Sequence, residues 1–121
     1  MAALRTLIVT LSPMLRDLVL GVLAPEISID ILDTLDTRDA LAARVRDLAP
    51  DLVVIGLLAS ERADLAEPLL EAAPPPWILL FSPQGQTAWL HGPGTRRVTL
   101  VDLSVQALKG ALQDIAPRNS N

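Results

Sequence analysis

Continuous apolar runs alternate along this chain with stretches whose apolar residues recur every three or four positions, and the change of spacing separates strands from helices. Leu7-Ile8-Val9, inside Leu4 to Thr10, and Leu52-Val53-Val54-Ile55, bounded by Pro50 and Gly56, are unbroken and rich in β-branched side chains. Such runs predict strands buried on both faces, as in the middle of a parallel sheet. Between them, Ser12-Pro13 supplies a capping hydroxyl and a proline preset for a first helical position. Leu15, Leu18, Val19, Val22 and Leu23 then line one helical face up to Pro25. Ile27, Ile29 and Ile31 alternate with Ser28, Asp30 and Leu32, which predicts a less buried edge strand. Asp36-Thr37 opens an amphipathic helix with Leu41, Val45 and Leu48 inward and Arg38, Arg44, Arg46 and Asp47 outward, closed by Pro50.

Beyond Gly56 the segment Leu58 to Asp64 has no period, and Leu65, Leu69 and Leu70 then form a short helical pattern. Pro68 must lie near its first turn or kink it, because a proline removes a backbone donor. Pro74-Pro75-Pro76 forces extended backbone into Trp77-Ile78-Leu79-Leu80-Phe81, a fourth strand ending at Ser82-Pro83. Gln84 to Leu90 is read as irregular, with room for barely two helical turns, and His91-Gly92-Pro93-Gly94 as a turn. Val98, Leu100 and Val101 form a fifth strand. Ser104 caps a last helix with Leu108, Ala111, Leu112 and Ile115 inward, and Pro117 ends it.

Five strands alternating with helices predict an α/β three-layer sandwich, a five-stranded parallel sheet with helices on both faces. With the first and third strands the most apolar and the second edge-like, the expected order is 2-1-3-4-5, the flavodoxin-like or CheY-like arrangement. One domain over residues 1–117 and a disordered tail over 118–121 are expected of the 121 residues. The hub strand Leu52 to Ile55 ends at Gly56, where such sheets carry their chemistry, and a glycine side chain carries none.

Half of the residues are apolar but only Trp77, Phe81 and Trp89 are aromatic, so the core must be built of Leu, Val, Ile and Ala. A net charge of −4, with one Lys and nine Arg and no basic stripe, argues against nucleic-acid binding. The absence of cysteine excludes disulfides and thiolate metal sites. Arg5, Pro13, Arg16 and Asp17 interrupt the apolar opening before it reaches the length of a secretion signal or a membrane span. A cytoplasmic protein with no membrane association is expected.

Over nearly its whole length the chain resembles the receiver domains of bacterial response regulators. The resemblance rests on Ala49-Pro50-Asp51-Leu52-Val53-Val54-Ile55, Ile78-Leu79-Leu80-Phe81-Ser82, Ser104-Val105-Gln106-Ala107-Leu108 and the spacing of the βα units. It implies a two-component signalling domain with a phosphate-accepting aspartate, a pair of Mg²⁺-binding acids, a switch hydroxyl and a lysine. Carried onto this chain, the acceptor position is Gly56, the acidic pair is Thr10 and Leu11, and the lysine position is about Val101. Only the hydroxyl, Ser82, is kept. A carboxylate accepts phosphoryl poorly unless a metal and a cation neutralise the oxygens, so the combined loss predicts a pseudo-receiver without phosphotransfer, metal or cofactor. The segment between the fourth and fifth strands is also shorter than in that family.

Thr10, Ser12, Gly56, Ser82 and Asp102 are expected around one sheet edge, with Ser12 as a helix cap, Ser82 as a turn residue and Asp102 as a charge near the last helix. His91, the only histidine, has no Asp or Cys at ligand or triad spacing. Gly92-Pro93-Gly94 lacks the Lys-Ser/Thr of a phosphate loop, and Thr10 to Pro13 lacks the glycine of a flavin-phosphate loop. Trp77 is assigned to the core and Trp89 to a contact surface.

The expected function is a signalling module acting through protein contacts. The alternatives are a small-ligand sensor using the vacant phosphorylation pocket and, weakest, a flavodoxin-like enzyme. In the resembling family the face of the fourth helix, fifth strand and fifth helix pairs two copies. Its counterpart here is Trp89, Arg96, Arg97, Lys109 and Asp114, and a homodimer with Trp89 near its centre is expected.

Overall fold

The computed structural model describes residues 3–23, 28–37, 39–71, 75–92, 97–101 and 104–112. Six strands form one sheet: β1 (Leu4–Val9), β2 (Ile29–Leu35), β3 (Leu52–Gly56), β4 (Trp77–Phe81), β5 (Ala88–His91) and β6 (Arg97–Leu100). Helices α1 (Pro13–Leu23), α2 (Leu41–Leu48) and α3 (Val105–Leu112) and a 3₁₀ helix (Ala63–Glu71) complete the described elements. The sheet order is β2-β1-β3-β4-β5-β6. β2, β1, β3 and β4 run parallel, as the alternation of strands and helices predicts, with β2 at the edge.

From β4 onward the architecture departs from the expected five parallel strands. Ala88 to Leu90, read as irregular, and His91, read as the start of a turn, form β5, which pairs antiparallel with β4 from Phe81↔Ala88 to Ile78↔His91. The reversal is made by a tight turn after β4: the Ser82 N–H donates to the Thr87 carbonyl (2.8 Å), and Gly85, at φ +73°, donates to the Ser82 carbonyl (2.9 Å). The left-handed φ is the reason a glycine stands there. β6, the expected fifth strand, pairs antiparallel with β5 and not with β4, so the sheet is mixed. Val101 lies just past β6 rather than within it.

Alternation along the strands sorts the core into two layers. Leu4, Ile8, Leu52, Val54, Leu79, Phe81, Ala88 and Leu90 face α1 and α3, meeting Leu15, Val19, Val22 and Leu108. Leu7, Val9, Val53, Ile55, Ile78 and Leu80 face the other way, meeting Leu41 and Val45 of α2 and Ala66 and Leu69 of the 3₁₀ helix. Every residue of β3 is buried, as expected of a hub flanked by β1 and β4. The Ser12 hydroxyl accepts the Leu15 N–H (3.3 Å) and the Ser104 hydroxyl accepts the Ala107 N–H (3.1 Å), so both serve as helix caps. α2 begins at Leu41, later than Asp36-Thr37 predicts: Ala40, at φ 62°, breaks the helical backbone just before it, and the Thr37 hydroxyl accepts the Asp39 N–H (3.2 Å) in a local turn. Pro68 lies within the helix Ala63–Glu71, which takes 3₁₀ rather than α geometry.

Candidate functional site

The parallel strands β1, β3 and β4 end side by side, and the residues that follow them form the edge where such sheets carry their chemistry. Thr10 stands there with φ 46°, the left-handed region that a β-branched residue rarely adopts. Two hydrogen bonds hold it in place. Its N–H donates to the Leu35 carbonyl (2.8 Å) and its hydroxyl donates to the Gly56 carbonyl (2.8 Å). The turn presses the Thr10 backbone onto Gly56: a Cβ added to Gly56 would sit inside contact distance of the Thr10 carbonyl oxygen and 3.3 Å from the Leu11 Cα. Gly56 is therefore a packing glycine, and the space a side chain would fill belongs to the β1–α1 turn.

Ser82, beside them at the end of β4, is engaged in the hairpin. Its Oγ accepts the N–H groups of Gln86 (3.2 Å) and Thr87 (3.1 Å). Ser82 is a turn residue, the role expected from its place before Pro83. The structure thus brings Thr10, Leu11, Gly56 and Ser82 to one edge, whereas Val101 is distant from them. β5 stands between β4 and β6, so Val101 lies two strand spacings, about 10 Å, from β4. Asp102 lies outside the described residues. Among the described residues no group of three or more His, Cys, Asp or Glu could hold a metal ion.

The Pro50-Asp51-Leu52-Val53 segment, the most specific part of the resemblance, does its work at the opposite edge. The Asp51 carboxylate, 3% exposed, accepts the Arg5 N–H (2.9 Å), while the Asp51 N–H donates to the Arg5 carbonyl (2.8 Å). The Arg5 guanidinium donates to the carbonyls of Leu48 (2.7 Å) and Ala49 (3.1 Å), the end of α2 where carbonyls lack helical partners and a cation is favoured. Asp51 and Arg5 thereby tie β1, β3 and α2 together.

A second polar cluster joins residues that are far apart in sequence. Arg97 Nη2 bonds both Glu67 carboxylate oxygens (3.2 and 3.1 Å) and its Nη1 donates to the Gly92 carbonyl (3.2 Å). His91, buried on β5, has its Nδ1 3.5 Å from Glu67 Oε2 and, among the described residues, without a hydrogen bond. Burial first, and the Arg97 charge second, hold the His91 imidazole below its ordinary pKa of 6.5, and Glu67 opposes them. At that separation Glu67 acts chiefly through its charge. Lone His91 gives no sequence signal of this cluster, since Glu67 lies on the 3₁₀ helix and Arg97 beyond the turn. The cluster lies toward the amino end of β4, because His91 pairs with Ile78. It shares nothing with the Thr10–Gly56 edge.

The residues of the expected interface do not gather on one face. Trp89 lies on β5, partly buried against the α2-side layer, whereas α3, which carries Lys109, packs on the other side of the sheet through Leu108. Arg97 is committed to Glu67 and Gly92. Arg96 and Asp114 lie outside the described residues. Trp77, assigned to the core, is partly buried against the α1-side layer and lies over Gly92. A cleft of about 250 Å³ lies between α2 and the 3₁₀ helix, lined by Ala42, Val45, Arg46, Pro68, Leu69 and Glu71, and includes no residue of the carboxyl edge. No described helix is long and apolar enough to cross a membrane. No protein-family model matches the chain, and neither the curated proteins nor the solved structures compared with it include a match.

Proposed function

We propose that this chain is a receiver-like signalling module of flavodoxin-like ancestry that works in the cytoplasm through protein contacts and carries out no phosphotransfer. The observation that carries this reading is the closed carboxyl edge. Where the resembling receivers hold an acceptor aspartate, this chain has Gly56 packed against the Thr10 carbonyl, and the Thr10 hydroxyl is bonded to the Gly56 carbonyl. The parallel order β2-β1-β3-β4 supports the receiver-like half of the proposal. The β5 hairpin supports the other half, since a strand between β4 and β6 separates the family's switch hydroxyl position from its lysine position. Phosphoryl transfer depends on bringing carboxylate, metal and cation to one point.

The test is incubation with acetyl phosphate, or with beryllium fluoride, in the presence of Mg²⁺, followed by intact mass and two-dimensional NMR. Unchanged mass and unchanged amide shifts around Thr10, Gly56 and Ser82 are expected. A gain of one phosphoryl group on an aspartate would overturn the proposal.

A further inference from the structure

The two edges of the sheet are built differently. β2 carries Asp30 and Asp33, the second paired with Arg44 (3.2 Å), and charges of this type along an edge oppose pairing with another strand. β6 carries a single charge, Arg97, followed by Val98, Thr99, Leu100 and, just beyond it, Val101. Val98 is 40% exposed and Val101 69% exposed. Among the described residues no strand lies on the outer side of β6. An uncharged, largely exposed run in which Val98, Thr99 and Val101 are β-branched and Leu100 is partly buried, without proline or bulge, is the pattern of an edge that accepts a further strand.

We propose that β6 pairs antiparallel with β6 of a second copy of this chain, about a two-fold axis through Thr99. Which face each residue occupies requires the axis to pass through a residue rather than a gap between two, and Thr99 is the central residue of Val98-Thr99-Leu100, the uncharged part of β6. Thr99 lies opposite Trp89, on the α2-side face, and Val98 lies opposite Leu90, on the α1-side face. Residues facing each other across an antiparallel pair share a face, so a register centred on Thr99 sets Thr99 against Thr99, Val98 against Leu100 and Arg97 against Val101. Each pair is compatible: a hydroxyl pair on the axis, an aliphatic pair on either side of it, and the aliphatic stem of Arg97 beside Val101, with its guanidinium still on Glu67 and Gly92 of its own copy. The charges also agree with this occupant. The two Arg97 residues fall at opposite ends of the paired strands, about 13 Å apart along them, and each has Glu67 of its own copy as counter-ion. A partner strand with a charge at its centre would meet only Val98, Thr99 and Leu100, with no opposite charge to receive it.

This inference rests on the contact-module reading for its purpose and moves the contact from the Trp89 face to the strand edge. Sedimentation velocity of the whole chain at concentrations from about 5 to 500 μM, in the range of weak complexes, tests it with three samples. Wild type is expected to pass from monomer to dimer across this range. Thr99→Lys and Thr99→Glu, at an exposed position, each set like charges against each other on the axis and are expected to stay monomeric with an unchanged circular dichroism spectrum. An equimolar mixture of the two is expected to dimerise again, because Lys then faces Glu, and this recovery separates lost pairing from lost folding. A wild type that stays monomeric throughout, as it would if the edge served a different partner, overturns the proposal. So does a Thr99→Lys protein that dimerises like wild type, or a mixture that fails to recover. None of these outcomes alters the intact mass after acetyl phosphate treatment, so the two proposals fail independently.

Discussion

Replacing Gly56 by alanine tests directly whether the carboxyl edge is closed by backbone. The added Cβ falls within 3.0 Å of the Thr10 carbonyl oxygen, and the Leu11 Cα and the Thr10 carbonyl carbon are each 3.3 Å away. All three are backbone atoms, so no side chain can rotate aside. The β1–α1 turn must shift instead, against the Thr10 N–H bond to Leu35 and the Thr10 hydroxyl bond to Gly56 (both 2.8 Å). Overpacking of this type costs about 1–3 kcal/mol, and loss of one of the two bonds adds about 0.5–1.5 kcal/mol. The sum, about 1.5–4.5 kcal/mol, is a large part of the roughly 5–15 kcal/mol that holds a domain of this size folded. At about 4 °C per kcal/mol for this length, Tm should fall by about 6–18 °C. Urea unfolding followed by circular dichroism gives the free energy, with the slope unchanged if only the native state is strained. Gly56→Asp should lose more, because it also sets a buried carboxylate beside a carbonyl oxygen, and it should remain unlabelled by acetyl phosphate. A Gly56→Ala protein within about 0.5 kcal/mol of wild type, the range of an ordinary surface substitution, would show that the turn yields freely and refute the reasoning.

Four further substitutions probe the other links. Gly92→Ala would place a Cβ 2.5 to 2.9 Å from three atoms of the Trp77 ring, and a loss of about 1–3 kcal/mol in urea unfolding is expected, with a shift in tryptophan emission; an unshifted spectrum at wild-type stability counts against the contact. Arg5→Ala removes the donors to the Leu48 and Ala49 carbonyls, and Asp51→Ala removes the acceptor of the Arg5 N–H. Each should cost about 1–3 kcal/mol with no change in mass after acetyl phosphate, and a neutral Asp51→Ala would mean that the segment is not structural. Because the folded protein holds His91 below its ordinary pKa, the unfolded chain takes up that proton first. The stability contributed by neutral His91 is complete above about pH 6.5 and is lost as pH falls through the lower folded value. His91→Gln should flatten that part of the stability–pH curve, and an unchanged slope below pH 6.5 would remove His91 as its source.

How much of this molecule is legible in the sequence depends on whether an element's pattern is long enough to be distinct. β1, β3 and β4 announce themselves because a strand buried on both faces shows as an unbroken apolar run, and all three lie where those runs predict. Ser12 and Ser104 are legible as caps because capping is a local bond between near neighbours. β5 is hidden because it is only four residues, Ala88-Trp89-Leu90-His91, whose apolar content fits a helical turn as well as a strand. Its antiparallel pairing comes from the turn at Ser82 and Gly85, whose hydrogen bonds a reading of periodicity does not detect. That one hairpin moves the following strand outward by one place, and with it Val101, so a site position counted along the chain is displaced by about 5 Å across the sheet. Gly56 is the reverse case. Its lack of chemistry is plain from its identity, but the reason for a glycine is the close approach of Thr10 from another strand, a contact between residues 46 positions apart. The same distinction applies to Asp51: the residue that makes the segment resemble a receiver bonds the start of β1 and stands at the edge away from the chemistry. The order Pro50-Asp51-Leu52-Val53 is therefore accounted for by what it holds together at this edge of the sheet, independently of what stands at the other.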